Sequence, residues 1–136
     1  MKDLQQEISS FLAVWPVSSH VCRTIFIELM EFILAQEGTR LKFHTRPGVT
    51  YSLWAMHHKQ IRPLYAMVDV IEDEPRWLSV CFYSQMVTDP VGRGNIVPGG
   101  LLGEDGLCFD AEKITGEQLN YLKERISEAY ATAIDG

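Results

Sequence analysis

Apolar residues recur every three or four positions in three segments of the chain, which is the period of a helix with one buried face. The first segment follows Asp3, which can cap a helix, and stops at Pro16, while the second ends at Gly38. The third begins after Thr115 and Gln118, whose spacing is that of a capping box. We therefore predict two helices in the N-terminal part of the chain and one near its C-terminal end.

Between the second and third predicted helices the apolar period changes to two, which is typical of β-strands. The candidate strands span residues 40–45, 51–57, 64–71, 77–83 and 107–110. Short connections between the first four favour an antiparallel meander. The sequence predicts one α+β domain over residues 1–136, with an antiparallel sheet of about five strands. The helices are expected to pack mainly on one face of that sheet.

The chemistry of the two sheet faces predicts the strand register. We predict that Thr45 pairs with Tyr51 and that Val70 pairs with Arg76, because these pairings place side chains of similar chemistry on the same face of the sheet. One face is then aliphatic, and we expect it to pack against the helices. Its predicted members are Leu41, Phe43, Leu53, Ala55, Leu64, Ala66, Val68, Val70, Leu78, Val80 and Phe82.

The opposite face combines cations, aromatic rings and methionines, and we call it the mixed face. Its predicted members are Arg40, Lys42, His44, Ser52, Trp54, Met56, Tyr65, Met67, Asp69, Trp77, Ser79, Cys81 and Tyr83. A solvent-facing antiparallel sheet normally alternates to polar residues, so a face of this composition needs cover. We expect that cover to be a helix, the turn-rich segment 84–106, or a second copy of the chain in a homodimer.

A pocket for a small anionic, partly aromatic ligand is the alternative interpretation of the mixed face. Trp54 and Tyr65 would stack on the ligand, while Arg40 and Lys42 would meet its carboxylate or phosphate. Two further arginines are outer candidates for such a ligand: Arg46 and Arg93.

Segment 84–106 collects glycine and proline in one long connection between predicted strands. It contains neither of the glycine-rich patterns that bind nucleotide phosphates. Ordered loops of this length bury their own apolar side chains, so we expect four residues to pin the segment to the body of the protein. These anchors are Ile96, Val97, Leu101 and Leu102.

The chain is acidic overall, with a net charge of −6 at pH 7, although residues 38–68 carry five basic and no acidic side chains. This balance argues against a nucleic-acid partner. No apolar stretch is long enough to cross a bilayer, and the N-terminal residues lack the pattern of a secretory signal. The three cysteines stand in apolar contexts and are expected to be reduced core residues. We therefore expect a cytoplasmic protein without a membrane partner.

No residue pattern predicts a catalytic site, a metal site or a cofactor. The chain has neither Cys-x-x-Cys nor His-Glu-x-x-His, which mark common metal sites, and no Gly-x-Ser-x-Gly elbow. Ser52, His44 and Asp69 share the mixed face, but any two-faced sheet offers such trios by chance. The sequence favours a non-enzymatic interaction module that self-associates through the mixed face.

Asp69 is the most unusual residue of the mixed face, because it lies between Met67 and Trp77. A covered carboxylate in such surroundings would have a raised pKa. We expect instead that a cation neutralises it, since charges on a contact face are usually paired. The candidate partners are Arg76, Lys42 and Arg40.

Overall fold

The computed structural model describes residues 3–111 and 114–135 and has an α+β architecture of one helical layer on one sheet. The helices are α1 (Leu4–Ala13), α2 (His20–Leu34) and α3 (Gly116–Ile134). The strands are β1 (Thr39–Arg46), β2 (Thr50–His57), β3 (Ala66–Ile71), β4 (Trp77–Tyr83), β5 (Asn95–Leu101) and β6 (Glu104–Ala111). This confirms the predicted fold class, with two N-terminal helices and one C-terminal helix.

Side-chain caps fix the starts of α1 and α3, as their sequences predict. The carboxylate of Asp3 accepts a hydrogen bond from the Gln6 backbone at 2.8 Å, and the Thr115 hydroxyl accepts one from the Gln118 backbone at 3.2 Å. Both caps are reciprocal capping boxes, which satisfy two helix-end donors each. None of the helices in the described ranges is long and apolar enough to cross a membrane.

The six strands form one antiparallel sheet in the order β1-β2-β3-β4-β6-β5. The predicted pairing of Thr45 with Tyr51 is confirmed. The next register prediction is wrong by two residues, because Val70 pairs with Leu78 rather than with Arg76. Side chains alternate with a period of two along a strand, so a shift of two leaves the assignment of residues to faces intact.

Strand β5 lies inside segment 84–106, which the sequence predicts to be a loop. Pro98 and two glycines within β5 mask its strand character, and an edge strand tolerates proline because one side of its backbone is unpaired. The register shifts between Val97 and Leu101, as at a β-bulge. Leu101 is buried, as expected of an anchor. The other three predicted anchors, Ile96, Val97 and Leu102, are exposed, and that part of the prediction is wrong.

The hydrophobic core lies between the aliphatic sheet face and the three helices. Leu53, Val68 and Val80 are buried side by side on neighbouring strands of this face. Phe11 of α1 packs on Phe43 of β1 with ring centroids 5.2 Å apart. The predicted placement of the helices on this face is therefore confirmed, and the other face of the sheet points away from the helical layer.

Cys81 and Cys108 are joined by a disulfide, contrary to the expectation of reduced cysteines. The two residues are direct partners on β4 and β6, with their Cα atoms 4.1 Å apart. The sequence hides this proximity because β4 pairs with β6 and skips the intervening β5. Cys22 lies in the core on α2 and takes no part in this bond.

Candidate interaction surface

The mixed face is built from residues that the register places on the side of the sheet away from the helices. It includes every predicted member on strands β1 to β4 and extends onto the two strands beyond them. The added residues, which the sequence does not place on this face, are Gly106, Cys108 and Asp110 of β6 and Asn95 and Val97 of β5. Residues 107–110 are predicted as a strand, but nothing local shows that this strand neighbours β4.

A row of residues crosses the middle of the mixed face and spans all six strands, and we call it the apolar row after its four central members. Its members, in sheet order, are Lys42, Trp54, Met67, Cys81, Cys108 and Asn95. Trp54 and Met67 are half-buried, and the His44 ring lies against the Trp54 ring. The centre of this face is therefore an apolar surface with a cation at one end of the row.

A second row, parallel to the first, is polar. Its members are His44, Ser52, Asp69, Ser79 and Asp110. The Ser52 hydroxyl donates a hydrogen bond to the carboxylate of Asp69. Burial raises the pKa of Asp69 above its ordinary range, and the bond from Ser52 offsets part of that effect.

The expected cationic partner of Asp69 is not found among the described residues. Arg76 instead makes an ion pair with Glu72, with Nη2 and Oε1 2.7 Å apart. Arg40 and Lys42 are exposed on β1 and form none of the ion pairs in the described ranges. The prediction of a paired Asp69 is therefore wrong, and a serine hydroxyl takes the place of the cation.

Ser52, His44 and Asp69 are neighbours, but their bonding is not that of a nucleophilic triad. In a triad the serine hydroxyl bonds to the histidine and the carboxylate orients the histidine from its other side. Here the Ser52 hydroxyl bonds directly to Asp69. The His44 ring instead lies against Trp54, with ring centroids 4.3 Å apart. This arrangement places no histidine between the serine and the carboxylate.

Tyr65 does not belong to the mixed face, although the sequence analysis places it there. Strand β3 begins only at Ala66, so the strict alternation of faces does not extend back to Tyr65. Its side chain is fully buried on the helical side, where its ring meets the ring of Tyr130 of α3. Its hydroxyl is 2.8 Å from the hydroxyl of Thr39. Trp54 and Tyr65 therefore lie on different faces of the sheet and do not form a pair of rings that could stack on one ligand.

One end of the mixed face is closed by an ion pair that the sequence analysis did not identify. The Arg62 guanidinium lies 5.1 Å from the ring centroid of Tyr83 and contacts both carboxylate oxygens of Glu104 at 3.0 Å. Tyr83 is buried beneath it, and burial raises the pKa of its hydroxyl. Arg62 is one of the five basic residues in the segment 38–68. The excess of cations in that segment is the feature of the sequence that could have drawn attention to it.

The two outer arginines of the ligand hypothesis lie in different places. Arg46 ends β1 and is exposed opposite Thr50. Arg93 lies over the Tyr121 ring of α3 at 4.8 Å and pairs with Glu117 at 3.1 Å, away from the other candidates. Thr88 is also bonded to α3, through Glu128. The start of segment 84–106 thus follows α3 and does not cover the mixed face.

No group of three or more His, Cys, Asp and Glu side chains within residues 3–111 and 114–135 is arranged to hold a metal ion. Comparisons of the chain with family models, with curated proteins and with solved structures give no match. The geometry of the mixed face is therefore the basis for the functional argument.

Proposed function

We propose that this protein is a non-enzymatic interaction module that forms a homodimer through the mixed face. The observation that carries the proposal is the apolar row around Trp54 and Met67, which lies on the sheet face away from the three helices and whose two large side chains remain partly exposed. Contiguous apolar surface of this kind marks contact sites in proteins. The proposal keeps the expectation of a cytoplasmic location, and the acidic charge of the chain argues against nucleic acid as the partner.

The size of the face supports a second copy of the chain as the occupant. Six strands about 4.8 Å apart and about seven residues long give a sheet face of roughly 600 Å². Two such faces in contact would bury about 1,200 Å², which is at the lower end of stable protein interfaces. Two packed sheet faces with interdigitated side chains also form the interior of ordinary β-sandwiches.

The distribution of charge favours one orientation of the two copies. Arg40, Lys42 and Arg46 lie on β1 at one edge of the sheet, whereas Asp110 lies on β6 near the other edge. A two-fold axis parallel to the strands, between β3 and β4, sets β1 over β5 and β2 over β6 of the second copy. This sets the cations of β1 over β5, beside the strand that carries Asp110, whereas an axis across the strands would set β1 against β1 and oppose like charges.

The same orientation gives each apolar side chain of the central row an apolar counterpart. Met67 would pack on Cys81 of the partner subunit, and Trp54 would pack on Cys108 of the partner subunit. Contacts between sulfur and aromatic rings are favourable. The two Asp69 side chains would each face Ser79 of the partner subunit, so the buried carboxylates would not oppose one another directly.

Sedimentation equilibrium tests the proposal. We expect the wild-type chain to be a dimer, and Met67→Glu and Trp54→Glu to be folded monomers, because each would bury an unpaired charge in the interface. Val17→Glu is the matched control, since Val17 is 91% exposed and lies before α2, away from the mixed face. Dimers of unchanged stability in both mixed-face variants would overturn the proposal, with circular dichroism confirming that every variant is folded.

A binder of a small anionic, partly aromatic ligand on the same face is the second candidate. It is favoured by Arg40, Lys42 and Arg46, which are exposed and have no ion pair in the described ranges. Benzoate is a suitable probe, because it carries one carboxylate and one ring. The ligand hypothesis predicts that benzoate raises the melting temperature of the parent protein but not that of the Arg40→Ala, Lys42→Ala double variant. Equal stabilisation of both proteins would count against it.

A further inference from the structure

The Cys81–Cys108 disulfide occupies the apolar row at the centre of the mixed face. Its two residues are direct partners on β4 and β6, and their neighbours in the row are Met67 and Asn95. Cys22, the remaining cysteine, is buried in the core on the helical side. The chain thus separates a cysteine pair on its candidate interaction surface from a cysteine buried in the core.

The two sulfur atoms of the pair differ in their surroundings. Cys108 is half-buried, whereas Cys81 is 4% exposed. The Sγ atom of Cys81 lies 3.4 Å from the Ser79 hydroxyl, which can donate a hydrogen bond to it. An attacking thiolate therefore reaches Cys108 more readily, and the Ser79 hydroxyl is placed to stabilise Cys81 as the leaving thiolate, because donors near sulfur favour its anionic form.

We infer that Cys81 and Cys108 form a reversible thiol–disulfide site whose co-substrate is a dithiol. One thiolate of the dithiol attacks Sγ of Cys108, so a mixed disulfide forms and the bond to Cys81 breaks. Cys81 leaves as a thiolate and takes a proton. The second thiol of the dithiol then attacks the mixed disulfide, closes the oxidised dithiol and releases Cys108, which is protonated in turn. Two electrons and two protons pass from the dithiol to the cysteine pair.

The position of the pair couples its redox state to self-association, and this step rests on the proposed homodimer. Reduction breaks a covalent bond between β4 and β6 and moves the two sulfur atoms from bonding distance to van der Waals distance. The altered surface would then pack less well on Trp54 and Met67 of the partner subunit, since close-packed interfaces tolerate small changes of shape poorly. By linkage, a dimer weakened by reduction must also resist reduction.

Alkylation followed by mass spectrometry tests the redox site itself. The folded protein is treated with oxidised glutathione or with dithiothreitol, then denatured and labelled with iodoacetamide. We expect only Cys22 to be labelled after oxidation, and all three cysteines after reduction of the folded protein. A Cys22→Ser variant is the control, and it should take no label after oxidation. Full labelling after oxidation, or a pair that dithiothreitol cannot open without denaturant, would overturn the site.

The rate of reduction tests the coupling. If the dimer covers Cys108, the rate with dithiothreitol should fall in proportion to the monomer fraction as the protein concentration rises. The folded, monomeric Met67→Glu variant should show no such dependence. A concentration-independent rate in a wild-type protein that sediments as a dimer would overturn the coupling. A wild-type monomer would instead refute the proposed homodimer, and the alkylation result would still decide the redox site.

Discussion

At the residue scale, Arg76 shows how a charged side chain is held inside this fold. Its guanidinium makes two bonds to Glu72, at 2.7 and 2.9 Å, and lies about equally far from the rings of three residues. The rings belong to Phe11, Trp15 and Tyr51, with centroids 4.8 to 5.1 Å away. Arg76 therefore joins α1 to the sheet through its contact with the Phe11 ring, while its ion pair with Glu72 lies within the connection from β3 to β4.

We predict that Arg76→Ala lowers the free energy of unfolding by about 3 kcal/mol, because truncation leaves Glu72 without its partner and opens a gap between three rings. Urea denaturation would measure the change. Lys59→Ala is the control, since Lys59 is exposed in the connection between β2 and β3, and we expect it to lie within about 0.5 kcal/mol of wild type. An equal, small effect of both substitutions would contradict this role of Arg76.

Asp69 makes the free energy of unfolding depend on pH, because its surroundings in the folded protein change its pKa. Burial raises the pKa of Asp69 in the folded state, so ionisation of this group opposes folding. The unfavourable contribution is absent below the ordinary pKa of 3.8, grows as the pH rises from there, and is complete above the raised pKa of the folded state. Dimerisation would bury the carboxylate further and act in the same direction.

We predict that Asp69→Asn is more stable than wild type at pH 7, and that this advantage shrinks as the pH is lowered towards 3.8. Asparagine keeps an acceptor for the Ser52 hydroxyl but carries no charge. Ser52→Ala should have the opposite effect and steepen the pH dependence, because it removes the bond that favours the ionised carboxylate. Urea denaturation across this pH range would decide, and a less stable Asn variant at pH 7 would contradict the account.

At the element scale, the sequence predicts best where pairing is local. The register of the β1–β2 hairpin is predicted correctly because Thr45 and Tyr51 flank a short connection, and because the alternation on both strands agrees with one pairing. Strand β5 is missed because Pro98 and its glycines resemble a turn, and because an edge strand needs little apolar alternation. The β4–β6 pairing, and with it the disulfide, is non-local and leaves no local pattern.

The candidate surface is predictable to the same extent as the strands that carry it. Trp54, Met67 and Asp69 lie in regular strand interiors, where alternation assigns the face correctly even when the register is shifted by two. The assignment of Tyr65 to the mixed face is wrong because Tyr65 precedes β3, where the alternation of faces begins. The position of Arg93 could not be predicted, because no sequence pattern shows that segment 84–106 first follows α3 and only later joins the sheet.

The contact between α3 and residues 88–94 depends on Tyr121. Its hydroxyl donates to the Asp89 carboxylate and accepts a bond from the Val91 backbone at 3.2 Å. Asp89 in turn accepts the backbone N–H groups of Arg93 and Gly94, at 3.0 and 2.8 Å. One tyrosine hydroxyl thus organises the turn that leads into β5.

We predict that Tyr121→Phe lowers the free energy of unfolding by about 1.5 kcal/mol, since it leaves these groups without their shared partner. Amide hydrogen exchange should accelerate at Val91, Arg93 and Gly94. Tyr130→Phe is the matched control, because it removes a hydroxyl bonded to the Glu37 carbonyl and leaves the turn untouched. Unchanged exchange in the Tyr121 variant would show that other contacts hold the turn.

At the scale of the whole molecule, the fold places its helices on one sheet face, and the proposed homodimer would cover the other. The proposed two-fold axis makes a specific prediction about charge. Lys42→Glu and Asp110→Lys should each weaken the dimer, and the double variant should recover about 1 kcal/mol of coupling energy. Sedimentation equilibrium of the four proteins would measure that coupling. Strictly additive effects would exclude this orientation of the two copies.

The measurement that tests the homodimer most directly is an isotope-filtered NOE experiment on a mixture of labelled and unlabelled chains. It detects only protons that are close across the interface. The account predicts intermolecular NOEs from the Met67 methyl group and the Trp54 indole to protons of Cys81 and Cys108 of the partner subunit. Intermolecular NOEs confined to the helical side, or none in a sample that sediments as a dimer, would contradict it.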